Sequence, residues 1–288
     1  MQAKLLLLLL CLSCTVARAQ QSYEWRATIP APAQDGYHSI LLLPEVTGRL
    51  RPDLADIRVY NAAQQEIPYL LRKGEGYTAI PVLNFTRTDS AATKQTFINL
   101  QFTQPTYPEK LELQISSPDL YLRKGQVILG KPAVENRKKR RPDKPQAVRK
   151  FFTISSTEPA TIELPRQQVQ ELTLIIENED NQPLKIAGIK VLQINHYLIA
   201  DLQPNEDYTL RFCNKAATTP EYDLQFFRDS IPDDLPVLSV TNISAADDGK
   251  QPKRPVSKTI MWAAISIVVI GLGYMTVRLL NDMNREKK

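Results

Sequence analysis

Apolar and polar residues alternate with period two through most of the interior of this 288-residue chain. Leu111, Leu113 and Ile115 are separated by Glu112 and Gln114, and Ala187, Ile189 and Val191 by Gly188 and Lys190. Leu172, Leu174 and Ile176 alternate with Thr173, Ile175 and Glu177, Ile57 and Val59 with Arg58 and Tyr60, and Ile162 and Leu164 flank Glu163. Successive side chains of a strand point to opposite faces, so this is the pattern of half-buried β-strands. Turn-forming residues punctuate the gaps: Pro52-Asp53, Lys73-Gly74-Glu75-Gly76, Ser117-Pro118-Asp119, Asp180-Asn181-Gln182-Pro183 and Pro204-Asn205. Each supplies a preset or left-handed backbone angle, or a side chain that bonds its own turn. No stretch between residues 20 and 258 carries three turns of amphipathic helix, although 165–171 has room for one short turn.

Many short strands with regular turns predict an all-β fold of two antiparallel β-sandwich (jelly-roll-like) domains. The first is placed at 20–93, with strands at 23–29, 37–43, 56–60, 66–72 and 77–86. The second is placed at 94–215, and the small, polar stretch 89–93 is the boundary between them. The remainder, 216–258, is read as an extension and a polar, Pro-containing stalk.

Two apolar segments flank this region. Lys4 precedes an apolar run at 5–12, too short to span a bilayer, and Ala17-Arg18-Ala19 follows it. A charged start, a short apolar core and a small-x-small site form a secretory signal peptide, 1–19. Cys11 and Cys14 lack the small residues of a lipoprotein site. The second segment, 260–280, has 21 residues and one charge, Arg278. As a helix it would be about 31 Å long, the thickness of a hydrocarbon core. A single C-terminal transmembrane helix over 259–280 is expected, with 281–288 as a cytoplasmic tail. Lys250, Lys253, Arg254 and Lys258 leave the flanking charge balance undecided, so the signal peptide sets the orientation.

Cleavage of the leader would leave Cys213 as the one cysteine, so an exported domain forms no internal disulfide. Eukaryotic secreted domains commonly use such bridges. The expectation is therefore a single-pass protein of a bacterial inner membrane, its domains in the periplasm. On that reading the sequons at Asn84 and Asn242 carry no sugar.

Charge is concentrated in one place. Segment 131–150 has nine basic and two acidic residues, a net of +7, against +5 for the whole chain. Arg137, Lys138, Lys139, Arg140 and Arg141 form its centre. No aromatic residues are interleaved for base stacking, and export removes nucleic acid as a partner. Two readings stay open: a solvated loop, or a contact for something anionic such as lipid phosphates or an acidic protein.

Motifs of catalysis are scarce. His38 and His196 are the two histidines, and neither lies in a nucleophile-elbow or zinc-binding pattern. Cys213 beside Phe212 reads as a small packed residue. Glu177, Glu179, Asp180 and Asn181 gather oxygen atoms of the kind calcium takes, without the spacing of an EF-hand loop. No cofactor is implied. For a glycan platform, Trp25 is the one tryptophan outside the C-terminal apolar segment and lies early in the first strand, and Tyr60, Tyr69, Tyr107 and Tyr121 could serve, although core or edge packing explains each of them more simply.

Asp56-Ile57-Arg58-Val59-Tyr60-Asn61, followed by Glu66-Ile67-Pro68-Tyr69-Leu70-Leu71, is one stretch that carries a family resemblance. The other runs from Tyr121-Leu122-Arg123-Lys124-Gly125-Gln126-Val127 to the segment from Leu172 through Asn181 to Ile189. Together they resemble the uncharacterised bacterial domain of unknown function 3999. The second stretch is also similar to the closing strands of discoidin-like, galactose-binding-like jelly rolls. The resemblance implies a signal peptide, β-rich periplasmic domains and a C-terminal anchor, and supplies no reaction. The expected function is a non-enzymatic, membrane-anchored interaction or scaffold protein that binds an envelope or inner-membrane protein. The alternative is a carbohydrate-binding module for envelope or surface polysaccharide.

Overall fold

A computed structural model describes residues 23–130 and 147–246, together with the helical positions Gly273 and Thr276. The chain divides into two compact units, 1–246 and 247–288. The expected leader and residues Arg137 to Arg141 lie outside the described residues, as does 260–280 apart from those two positions. Among the described residues no helix is long and apolar enough to cross a membrane.

The described residues of the first unit form three sheets. One has the order β16 (Thr241–Ala245), β1 (Trp25–Ile29), β14 (Tyr208–Phe212), β3 (Ile57–Tyr60), β4 (Glu66–Ile67). The middle sheet runs β11 (Thr161–Glu163), β8 (Lys110–Ser117), β13 (Lys185–Leu202), β2 (Gly36–Leu41), β15 (Val237–Ser239), and β5 (Tyr69–Ala79) also pairs with β13. The third runs β10 (Val148–Ser155), β9 (Leu122–Leu129), β12 (Val169–Glu177), β7 (Gln95–Thr106), β6 (Val82–Ser90). The pairing of β15 with β2 is parallel.

Strand β13, 18 residues long, organises the unit. Its first half pairs with β8 and its second half with β2, while β5 lies along its other edge. Two cores form on one strand as a result. Ile98, Leu100, Val127, Leu172 and Leu174 of the third sheet pack with Leu111 of β8 and Val191 of β13. Ile29, Ile57, Val59, Leu210 and Phe212 of the first sheet pack with Ile40 of β2 and Leu198, Ala200 and Leu202 of β13. The alternation read at Leu111, Leu172 and Ile57 is the inward face of these strands.

This arrangement corrects the expected domain boundaries. The core of the first sandwich contains residues from 27–69 and from 198–240, and the second is inserted between them. Of the stretch 89–93 placed at the boundary, 89–90 end β6 and 91–93 lie in the tight turn, 91–94, of the β6–β7 hairpin. Small polar residues suit a hairpin turn as well as a linker, so composition does not separate the two. Gly74-Glu75-Gly76 is likewise no turn: it is a bulge inside β5, where pairing jumps from Lys73↔His196 to Tyr77↔Ile194. The extension after residue 215 is in part structural. Residues Val237–Ser239 and Thr241–Ala245 join two different sheets, and Ile231 and Val240 are buried. These strands are too short to show a period. Residues 165–168 form no helical turn, and β12 begins at Val169.

A polar joint lies where one core gives way to the other. A short helix, α1 (Pro44–Thr47), starts with proline at its first turn, a position where the missing N–H costs no hydrogen bond. Thr47 Oγ1 donates to Oε1 of Gln193 at 2.8 Å, and Gln168 Nε2 donates to the Gly48 carbonyl at 2.8 Å. Both Thr47 and Gln193 are buried.

Candidate functional site

A concavity of about 630 Å³ opens on the outer face of the middle sheet. Tyr37 of β2 and Asp201 of β13 are direct cross-strand partners and form one wall. The opposite wall is the segment around a 3₁₀ helix, Asp223–Ser230, which contributes Tyr222, Asp223, Leu224 and Phe227. Glu221 lies at the same opening.

The segment is strapped onto the sheet. Ile231 packs on Leu70 and Ile199 in a small third cluster, with Leu224 and Leu235 against it. Arg72 Nη1 donates to the Pro232 carbonyl at 3.1 Å and pairs with Asp233 Oδ1 at 3.2 Å. At the other end the Tyr222 ring meets Tyr69 edge-on, with centroids 5.3 Å apart. Tyr222 donates its hydroxyl to Glu66, and Glu66 Oε1 lies 3.3 Å from Nε of Arg58. Arg58 is 4% exposed, yet its guanidinium donates to the carbonyls of Ala55, Ile57 and Thr218. That set satisfies a buried cation that would otherwise be costly. Burial pushes the Tyr222 and Tyr69 hydroxyls up, Tyr69 to about 12. Both are neutral donors at ordinary pH.

The 3₁₀ helix itself buries no residue. Phe226 is 78% exposed and Phe227 58% exposed, the latter on the groove rim. The lining therefore offers aromatic and aliphatic surface and three carboxylates, Asp201, Glu221 and Asp223. Neither imidazole nor thiol is among its lining residues.

The residues singled out in the sequence fall elsewhere. His38 is buried, with Nδ1 2.8 Å from the Gly36 carbonyl. His196 sits in the polar joint, Nδ1 3.1 Å from the Ile194 carbonyl and Nε2 3.0 Å from Nη1 of Arg166. Since guanidinium only donates, Nε2 accepts and Nδ1 carries the proton. Burial first, then Arg166 and Lys73, lower the His196 pKa to about 4, against a raising contribution from the Ile194 carbonyl. Glu109 accepts the Ile194 N–H at 3.0 Å and stands 3.9 Å from Arg166. The cluster ties the two halves of the unit together.

Cys213 is half-buried and donates to Glu24 at 3.4 Å. Burial and the Glu24 carboxylate push the thiol up to about 11, which makes it a poor nucleophile. Glu177, Glu179, Asp180 and Asn181 end β12 and enter a turn in which Asp180 pairs with Lys94 and Asn181 bonds the Asn178 carbonyl. Among the described residues no group of three or more His, Cys, Asp and Glu is set to hold a metal ion. Tyr69 and Tyr107 are buried, Tyr121 packs against the second core, and Arg211 covers Tyr60 at 4.8 Å. Arg49 stacks on Trp25 at 3.9 Å. None of these lines the groove. Its aromatic residues, Tyr37, Tyr222 and Phe227, carried no sequence signal beyond their chemistry, since 185 positions separate Tyr37 from Tyr222.

No family model, curated protein or solved structure matches the chain.

Proposed function

We propose that the protein is a non-enzymatic, membrane-anchored interaction protein of the bacterial envelope. A cleaved leader exports the sandwiches to the periplasm, and the apolar segment near the C-terminus holds them at the inner membrane. The groove beside the 3₁₀ helix docks a protein partner. The observation that carries this reading is the exposed pair Phe226 and Phe227 on a helix with no fully buried residue, beside a groove lined by aromatic and aliphatic side chains. Aromatic anchors next to a pocket, rimmed by polar groups, are the arrangement that dominates protein–protein binding energy. The test is co-purification of crosslinked partners from cells carrying the full-length chain and Phe226→Ser/Phe227→Ser. A discrete partner lost with the double variant supports docking here. The same partner recovered from both overturns it.

A second reading has its own observation. Tyr37 and Tyr222 beside Asp201, Glu221 and Asp223 join aromatic faces to hydroxyl acceptors, as a glycan site does. Binding on a polysaccharide array that is lost in Tyr37→Ala would favour it over the protein partner.

A further inference from the structure

The third sheet ends in β10. β10 pairs with β9 along all eight of its residues, Val148↔Leu129 through Ser155↔Leu122. Among the described residues it is the last strand in its sheet, so alternate N–H and C=O groups point away from β9 with no described strand to receive them. Its side chains do not cover it: Phe151 is 71% exposed, and Val148, Arg149, Lys150 and Thr153 are exposed too. A hollow of about 370 Å³ runs beside Phe151, Phe152 and Thr153, with Lys124 and Glu177 at its sides.

The opposite edge of the same sheet is handled differently. There Arg87 of β6 pairs with Asp89 at 3.1 Å and donates to the Leu184 carbonyl at 2.9 Å. On β10, Arg149 and Lys150 make no ion pair among the described residues, nor does Lys124 on the neighbouring strand. Glu177 is the one carboxylate at the hollow. The local balance is three cations to one anion.

We infer that the β10 edge is a strand-addition site for an extended, acidic segment of a partner protein. Main-chain pairing would complete the ladder, and side-chain neighbours would set the choice. On the outward face the incoming strand meets Arg149, Phe151 and Thr153, which sit in register with Ile128, Gln126 and Lys124 of β9. An acid beside Arg149 and Lys150 and an apolar residue beside Phe151 satisfy the cross-strand preferences. A second copy of the chain is disfavoured, because its edge carries the same cations and like charges opposed across a ladder destabilise it. This inference rests on the docking role proposed above and adds a second surface and the chemistry of what it takes.

The test uses the full-length chain in detergent micelles and a fluorescein-labelled peptide repeating Glu-Glu-Val-Val, which in register sets Glu opposite Arg149 and Lys150 and Val opposite Phe151. Fluorescence anisotropy is expected to show saturable binding, and the β10 amides should gain protection from hydrogen exchange. Arg149→Glu with Lys150→Glu should weaken binding at least about tenfold, as should replacing each Glu of the peptide by Lys. Methylating alternate peptide nitrogens should abolish binding, because strand pairing needs those donors. No binding, equal binding of the Lys peptide, or equal binding of the methylated peptide each overturns the proposal. If the peptide result fails while Phe226→Ser/Phe227→Ser still loses its partner, the groove stands without the edge. If the peptide binds and the double variant keeps its partner, the edge stands and the groove reading falls.

Discussion

Arg166 donates to Nε2 of His196 across 3.0 Å, and this places a cation against a histidine that must stay neutral. The imidazole titrates near 6.5 in an unfolded chain and at about 4 here. Between these values the unfolded chain binds the extra proton, so stability rises with pH. The contribution is complete above about pH 6.5 and is lost as pH falls toward about 4, on the order of 3 kcal/mol in all. Urea unfolding at steps across that window should show the loss, and His196→Gln should flatten it. Asp53 and Asp89, held low by Arg51 and by Thr96 and Arg87, act only further down. An unchanged pH slope in His196→Gln would remove the histidine from the account.

Gly48 is where the joint is tightest. A Cβ there would sit 2.1 Å from the Pro105 carbonyl oxygen, a backbone atom that cannot swing aside. Gly48→Ala should cost about 1–3 kcal/mol by overpacking, read as a lower urea midpoint with the m-value kept. A neutral result would mean that the α1 region and residues 104–107 move apart freely.

Sharing β13 should make the two sandwiches unfold together. Leu174→Ala acts in the second core and Leu210→Ala in the first, and each should cost about 2–5 kcal/mol. Both should lower one common transition, followed by hydrogen exchange in Leu172–Ile176 and in Tyr208–Phe212. Two transitions, each moved by its own variant alone, would show that β13 does not couple them.

Tyr222→Phe keeps the ring on Tyr69 and removes the bond to Glu66. A loss of about 1 kcal/mol is expected, with partner capture retained. Tyr222→Ala removes the ring that walls the groove and should lose both. Equal behaviour of the two variants would take the ring out of the docking site.

The strands were legible because burial on one face leaves a period: Leu172, Leu174 and Ile176 point into one core and Ile57 and Val59 into the other. Connectivity was not legible. Nothing local says that β13 continues past Leu192 into a second sandwich, because its burial there depends on β2 and β5, more than 100 residues away in sequence. Gly74 and Gly76 look like a turn by composition, yet they let the Tyr197 ring and Asn195 lie against β5. The groove was the least legible feature, since Tyr37, Asp201 and Phe227 meet only through the fold. The sequence did point to the basic stretch whose last residues, Arg149 and Lys150, lie on the open edge of β10.

On this reading the groove, with Phe227 on its rim and Phe226 beside it, holds a protein partner. It is tested most directly by placing a photocrosslinking residue at position 227 in the full-length chain in cells, with position 85 on the second sandwich as the comparison. One discrete adduct is expected from position 227 that position 85 does not give. No adduct from position 227, or the same adducts from both positions, would contradict it.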